Sequence, residues 1–330
     1  MIYEQVHDAV RDGGLLAGNQ QMHRRVGGHP ILVMLSGGRD STCLIDLAVA
    51  LRGAASVSAL HVNYGLREQA PADERHCAGL CQQLGVALHV VRAGAPGEGN
   101  LHAWARELRY AEAHRLAERE DALIAVAHTA SDQVETILYR LAASPGRRAL
   151  LGMAEREGRL VRPLLGLARE QTAAYCRERG LDWREDPSND DPRFARARVR
   201  HQLVPALRAV HPAAEANVLR TAALLREETE LLDGLVDAEL GVGERGQAGG
   251  DRIALARLRE LPAALARMVV VRLAERATGA YVPQAGDRVQ ELLALAERGG
   301  RAELHVGGQA GAVIENGQLH MVKLPPRGSI

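Results

Sequence analysis

Apolar residues run unbroken from Ile31 to Leu35 and stop at Ser36-Gly37-Gly38. Five apolar positions with no polar break predict a strand buried on both faces. Helical spacing follows from Thr42 to Leu51. The pattern then repeats, with strands over 56–62, 87–91 and 122–127. Helices are expected over 72–84, 101–120 and from Ser131 to about Leu141, and a loop, AGAPGEGN, over 93–100. Strands alternating with helices predict an α/β fold: a parallel sheet with helices on both faces. Ligands of such sheets lie beyond the carboxyl ends of the strands.

The second half reads differently. DPSNDDP over 186–192 is a polar turn. A long helical pattern spans 213–240, with Val218, Leu225, Leu232 and Val236 on one face. GVGERGQAGG follows as a glycine-rich loop. A strand over 253–255, two helical patterns and short strands near the end make a small α+β domain. The expected organisation is an α/β domain over 1–212, a linker helix over 213–240 and the α+β domain over 241–330.

Composition narrows the chemistry. The 330 residues carry 41 basic and 41 acidic side chains, so no global basic field draws in a polyanion. Locally, residues 140–208 hold 15 arginines against 9 acids. That patch suits a phosphate backbone, and with Phe194 the one aromatic close by it reads as backbone positioning rather than base stacking. Lys323 is the only lysine, which removes any P-loop lysine. Cys43, Cys77, Cys81 and Cys176 form no Cys-x-x-Cys pair, which argues against a zinc or iron–sulfur site. Scattered thiols without a signal peptide fit a cytoplasmic protein. Apolar runs are too short to span a membrane.

The turn after the first strand has neither G-x-x-x-x-G-K-[ST] nor G-x-G-x-x-G spacing. Its position still suits phosphate. Gly37 and Gly38 let backbone N–H groups approach phosphate oxygens, and Ser36 and Ser41 add hydroxyls. Asp40 stands where an acid caps N–H groups or holds a metal ion. Arg39 is unusual beside such a turn; its side chain points away or obstructs the site.

Ser36-Gly-Gly-Arg-Asp-Ser41 resembles the pyrophosphate-loop signature of the N-type ATP pyrophosphatases. Further stretches, in order, resemble the tRNA(Ile)-lysidine synthase family. They are His61-Val-Asn-Tyr-Gly-Leu-Arg67, Ala105-Arg-Glu-Leu-Arg-Tyr110, Ala127-His-Thr-Ala-Ser-Asp-Gln-Val-Glu-Thr136, Val161-Arg-Pro-Leu-Leu165, Trp183-Arg-Glu-Asp-Pro-Ser-Asn189 and Arg196-Ala-Arg-Val-Arg-His-Gln-Leu-Val-Pro205. The resemblance covers roughly 28–240 and continues weakly to the end as that family's smaller substrate-binding domain.

The resemblance implies a PP-loop domain that binds ATP through Ser36, Gly37, Gly38, Arg39, Asp40, Ser41, His61 and Asn63. Asp40 and Asp132 would hold Mg²⁺. His128 would face the α-phosphate, and one of Arg106 and Arg109, with a slight preference for Arg106, would stabilise charge there. Arg147, Arg148, Arg193, Arg196, Arg198 and Arg200 would contact RNA. The implied reaction adenylates the wobble cytidine of a tRNA(Ile) with a CAU anticodon; L-lysine then displaces AMP. Asp73 and Glu135 are candidate acids for the lysine amine, and a homodimer is expected by analogy. Thr129 and Ser131 replace a histidine and an acid common in the family, Ala197 replaces an asparagine, and 142–152 is a diverged glycine-rich loop. The alternatives are another PP-loop tRNA-modifying enzyme and a degenerate ATP- or RNA-binding module.

Overall fold

The computed structural model describes residues 1–16, 28–95, 100–144, 146–185, 193–241 and 251–325. The expected turn over 186–192, most of the glycine-rich loop over 241–250, and residues 96–99 of the AGAPGEGN loop lie outside the described residues. The chain divides between Leu225 and Arg226 into two compact units.

The first unit is built on a sheet of β1 (Ile31–Met34), β2 (Val57–Asn63), β3 (Ala87–Arg92), β4 (Leu123–Ala125), β5 (Arg156–Glu157) and β6 (Leu160–Val161). Its order is β3-β2-β1-β4-β6-β5, parallel except for β5. All four residues of β1 are buried, as an unbroken apolar run between two helix layers requires. Helices α2 (Arg39–Arg52), α3 (Ala70–Leu84) and α4 (Leu101–Glu120) link the strands. The chain runs outward from β1 through β2 to β3, then returns to place β4 on the other side of β1. That reversal makes the crevice at the carboxyl ends of β1 and β4 the place for a ligand.

Among the helices outside the expected pattern, α1 (Ile2–Asp12) and α7 (Arg169–Glu178) are the longest in this unit. A buried ionic knot ties α7 to α2. Asp46 is 2% exposed and accepts from the Tyr175 hydroxyl at 2.6 Å and from Arg179 Nε and Nη2 at 2.9 and 3.1 Å. Three donors on one carboxylate compensate its burial, and losing one would leave a charge uncompensated.

Beyond β4 the chain forms α5 (Ala130–Ala143), the short α6 (Arg147–Leu150), then α8 (Ala195–Arg198), a π-helical turn over Val199–Leu203 and α9 (Val204–Val210). Val134 and Leu138 of α5 pack with Val199 and Val204 in a small apolar cluster. Buried Ala197 stands on α8, where the family pattern has asparagine. The unit boundary falls inside α10 (Ala214–Glu239).

The second unit holds an antiparallel sheet of β7 (Arg252–Ala254), β8 (Ala302–Gly307), β9 (Ala310–Glu315) and β10 (Gln318–Lys323), in the order β7-β10-β9-β8. Asn316-Gly317 turns β9 into β10 with φ of 51° and 73°, the left-handed pair that a two-residue hairpin needs. Helices α11 (Leu255–Glu260), α12 (Ala263–Thr278), α13 (Gln284–Asp287) and α14 (Val289–Glu297) supply, with the sheet, a separate apolar core. Among the described residues no helix is long and apolar enough to cross a membrane.

Candidate active site at the switch point of the parallel sheet

The turn after β1 is shaped by its own side chains. Gly37 takes φ +81°, and a Cβ there would meet Cys77 Sγ at 3.0 Å, so only glycine fits without strain. Ser36 and Ser41 hydroxyls lie 3.0 Å apart, and Ser41 Oγ donates to the Gly38 carbonyl at 2.9 Å. The Gly38 N–H donates to Ser36 Oγ at 3.3 Å. Helix α2 starts from Gly38 with no side-chain cap. Its first N–H groups therefore suit an external anion. The Arg184 N–H donates to the Gly37 carbonyl at 2.9 Å and fixes the outer side of the turn.

Asp40 does not cap this helix. Its carboxylate accepts from Thr172 of α7 at 2.5 Å and from Arg39 Nε and Nη2 at 3.1 and 3.4 Å. Arg39 thus folds onto its neighbour Asp40.

The turn after β4 is organised around Asp132, which is 8% exposed. Asp132 Oδ2 accepts from both the N–H and the hydroxyl of Thr129, each at 2.9 Å, and Thr129 Oγ1 accepts the Asp132 N–H at 3.4 Å. This is a capping box with an acid at its third position. Asp132 Oδ1 faces Arg169 and Arg196 at 3.3 Å each and Arg200 at 3.8 Å. Burial works to raise the Asp132 pKa, but Arg196, the Thr129 N–H, Arg169 and His128 together hold it below the ordinary carboxylate value.

Glu135, one turn further on, is 2% exposed. It accepts from Arg200 Nε at 2.7 Å and Nη2 at 3.1 Å, and from Arg196 Nε at 3.3 Å. Arg196 and Arg200, expected to contact RNA, are thus engaged with Asp132 and Glu135 in this structure. Acids three residues apart on α5 face arginines four residues apart across the α8 and π-helical segment, and buried carboxylates need these partners. Arg193 and Arg198 stay exposed, while Arg147 and Arg148 are half-buried on α6. The diverged 142–152 segment is held by Gln133, whose side chain pairs with both backbone groups of Met153.

His128 sits between these groups. Burial, reinforced by Arg196, Arg162 and Arg109, pushes its pKa down to about 4 against the pull of Asp132. Its buried Nδ1 has no hydrogen-bond partner, and neither has the buried Nε of Arg109. Buried polar atoms without partners call for an explanation, and a bound ligand atom is one that fits this place. Arg106 is exposed and lies over the Tyr110 ring at 4.6 Å; Arg109 is half-buried, 5.7 Å from the same ring, and acts on His128. Of the two, Arg109 is the one whose charge reaches His128.

His61 and Asn63 end β2 beside this turn, each with local work. His61 Nδ1 lies 3.0 Å from the Leu35 carbonyl and secures the end of β1. Asn63 donates to Glu74 at 2.7 Å and accepts from the Gly65 N–H at 2.9 Å. Asn63, Arg67, Glu68 and Arg92 line a cavity of about 350 Å³ here. Asp73, a candidate acid for lysine, is bridged by Arg67 and Arg184, each at 3.1 Å.

The sequence reading missed Arg169 and Thr172. Both lie on α7, whose signals were Glu170 in the first turn and Gly180 after the last. Arg169 joins the two turns. Its guanidinium lies 4.0 Å from Asp40, 3.3 Å from Asp132 and 3.7 Å from Glu135. Hard carboxylate oxygens on both turns fit Mg²⁺, an ion bound through one or two acids plus substrate phosphates. Asp40 Oδ2, with contacts of 3.4 and 4.0 Å, is the loosest of them.

Comparison with known proteins identifies the fold and the family. A family model described as a PP-loop domain matches residues 16–207. The tRNA(Ile)-lysidine synthase of Pseudomonas fluorescens (strain Pf0-1) is 41% identical over 215 residues, 63% of this chain and 48% of that protein. The tRNA(Ile)-lysidine synthase of Mycolicibacterium paratuberculosis is 40% identical over 228 residues, 68% of this chain and 69% of that protein. The chain spans about half the length of the Pseudomonas relatives it matches. The solved U34-tRNA thiolase NcsA from Methanococcus maripaludis shares the fold, with a TM-score of 0.55 and 16% identity over 68% of this chain and 79% of that one. The chain belongs to the PP-loop family and, within it, to the tRNA(Ile)-lysidine synthases.

Proposed function

We propose that this chain joins L-lysine to C2 of the wobble cytidine of a tRNA(Ile) with a CAU anticodon, at the expense of ATP. The cytidine O2 attacks the α-phosphorus of ATP and pyrophosphate leaves. The lysine ε-amine, having lost its proton, then attacks C2 and AMP leaves, giving lysidine. The observation that carries this reading is the bridge of Arg169 across the switch point, with Asp40 beside the glycine turn on one side and Asp132 beside His128 on the other. It supports one site in which a triphosphate lies across both turns.

In this site the uncapped start of α2, with Ser36 and Ser41, receives the pyrophosphate oxygens. His128 enters neutral. It offers a hydrogen bond to the α-phosphate without adding charge to Arg109, Arg162 and Arg196, and the half-buried Arg109, with its Nε unpartnered, faces the charge that builds there. Mg²⁺, held by Asp40 and Asp132, would neutralise phosphate charge. Buried Glu135 is favoured over Asp73 as the acid that attracts the lysine ammonium, because it stands on the same helix turn as Asp132. The cavity beside Asn63 lies on the side where adenosine is expected. Arg147, Arg148, Arg193 and Arg198, with the second unit as a tRNA-binding domain, would hold the RNA backbone. A cytoplasmic location goes with this activity.

The test is radiolabelled lysine incorporation into a tRNA(Ile) transcript with a CAU anticodon, with and without ATP, beside Asp40→Ala. ATP-dependent labelling that the variant loses is expected. ATP binding without transfer to this tRNA would overturn the lysidine reading.

A further inference from the structure

Asp40, Asp132 and Glu135 are three anions facing four cations, Arg39, Arg169, Arg196 and Arg200. A divalent ion can join this set only if a cation withdraws or phosphates arrive. The four arginines are not equal candidates to withdraw. Arg200 and Arg196 hold Glu135, which is buried and would be left uncompensated. Arg39 pairs with its neighbour Asp40. Arg169 alone among them touches Asp40, Asp132 and Glu135 together, and its contacts of 4.0, 3.3 and 3.7 Å are looser than the 2.7 Å Arg200–Glu135 pair.

The backbone around Arg169 is anchored while its side chain is an arm. Its N–H donates to Ser131 Oγ at 3.3 Å, and the Ala130 N–H donates to the Leu167 carbonyl at 2.8 Å. Thr172, one turn on, is held to Asp40. Ser131, a departure from the family pattern, thus pins the start of α7 to the start of α5. The side chain is 21% exposed and reaches all three carboxylates, so an entering ligand meets it from solvent.

The geometry points to Arg169 as an exchangeable cation: it occupies the carboxylates of the metal site and moves onto the nucleotide's phosphates when a divalent ion takes its place. It is a positioning residue in the first state and a phosphate ligand in the second. This rests on the ATP reading above only for its second half. The exchange couples the order of binding, because metal and phosphate enter together more easily than metal alone.

The test uses the full chain, Mn²⁺ as a probe read by electron paramagnetic resonance, and α,β-methylene-ATP read by calorimetry. Without nucleotide, Arg169→Ala should bind Mn²⁺ at least about tenfold more tightly than wild type, and adding Asp40→Asn should reverse the gain. Arg169→Lys, which keeps the charge, should stay near wild type. At saturating Mn²⁺, Arg169→Ala should bind α,β-methylene-ATP about tenfold more weakly. Unchanged Mn²⁺ affinity in Arg169→Ala, or tighter nucleotide binding in it, would overturn the inference. If the alanine variant does not fold, Arg169→Gln keeps the stem and carries the same readings. A wild type that binds no α,β-methylene-ATP would overturn the ATP reading, while the Mn²⁺ titration still decides Arg169.

Discussion

The two turns that flank the switch point do opposite things with the same ingredients. Each follows a central parallel strand, each opens a helix of 14 residues, and each places an acid in the first turn. After β4, Asp132 is spent on its own helix: one oxygen takes both donors of Thr129 and the other faces three arginines. After β1, Asp40 leaves its helix uncapped and reaches to Thr172, far along the chain. A capped turn holds one acid rigidly inside a charge network. An uncapped glycine turn keeps its N–H groups for an anion. The proposed site uses both, and α7 touches each through Arg169 and Thr172.

Removing the acids should break this comparison most sharply. Asp132→Ala strips a buried carboxylate from Arg169, Arg196 and Arg200 and should cost about 3–5 kcal/mol of stability. Asp40→Ala, at a carboxylate 21% exposed, should cost about 1 kcal/mol. Urea unfolding of both variants checks the order; equal losses would erase the distinction between the turns.

The same network sets a pH dependence. The His128 pKa falls from an ordinary 6.5 to about 4 on folding, so the unfolded chain binds the extra proton between these values. Stability contributed by neutral His128 is present above pH 6.5 and is lost as pH falls towards 4, by about 3 kcal/mol. Asp132, lowered on folding, adds its own loss below 3.8. In His128→Gln, urea midpoints should slope clearly less between pH 6.5 and 4, the remainder coming from His76 and the paired glutamates, while the loss below 3.8 persists.

Smaller effects separate the turns by shape. Gly37→Ala forces a side chain into φ +81° against Cys77 and should cost about 2 kcal/mol, with nucleotide affinity falling alongside. Thr129→Ala removes an N-cap and should cost about 1 kcal/mol, read as a lower thermal midpoint.

The doubly covered sheet was legible because its signal is local. The apolar run at 31–35, the glycines that end it and the alternation that follows each need only a short window. Of the acids, Asp40 and Asp132 were legible as first-turn residues after strands, and Glu135 as a candidate acid one turn on. Their partners were not, because ion pairs join residues distant in sequence: Arg196 and Arg200 reach back to Asp132 and Glu135, and an arginine count over 140–208 does not say which acids they meet. Helix α7 was missed because it is short and largely polar, and Arg169 and Thr172 went with it. Thr129 looked like a loss against the family pattern, yet its hydroxyl is what holds Asp132 in place.

The central claim is that the two turns form one nucleotide site. A double-mutant cycle on α,β-methylene-ATP affinity with Mg²⁺, using Asp40→Asn, Asp132→Asn and both together, tests it most directly. Each single variant should weaken binding, and the double should weaken it by clearly less than the product of the two, a coupling of about 1 kcal/mol or more. Strictly additive losses would contradict a shared site.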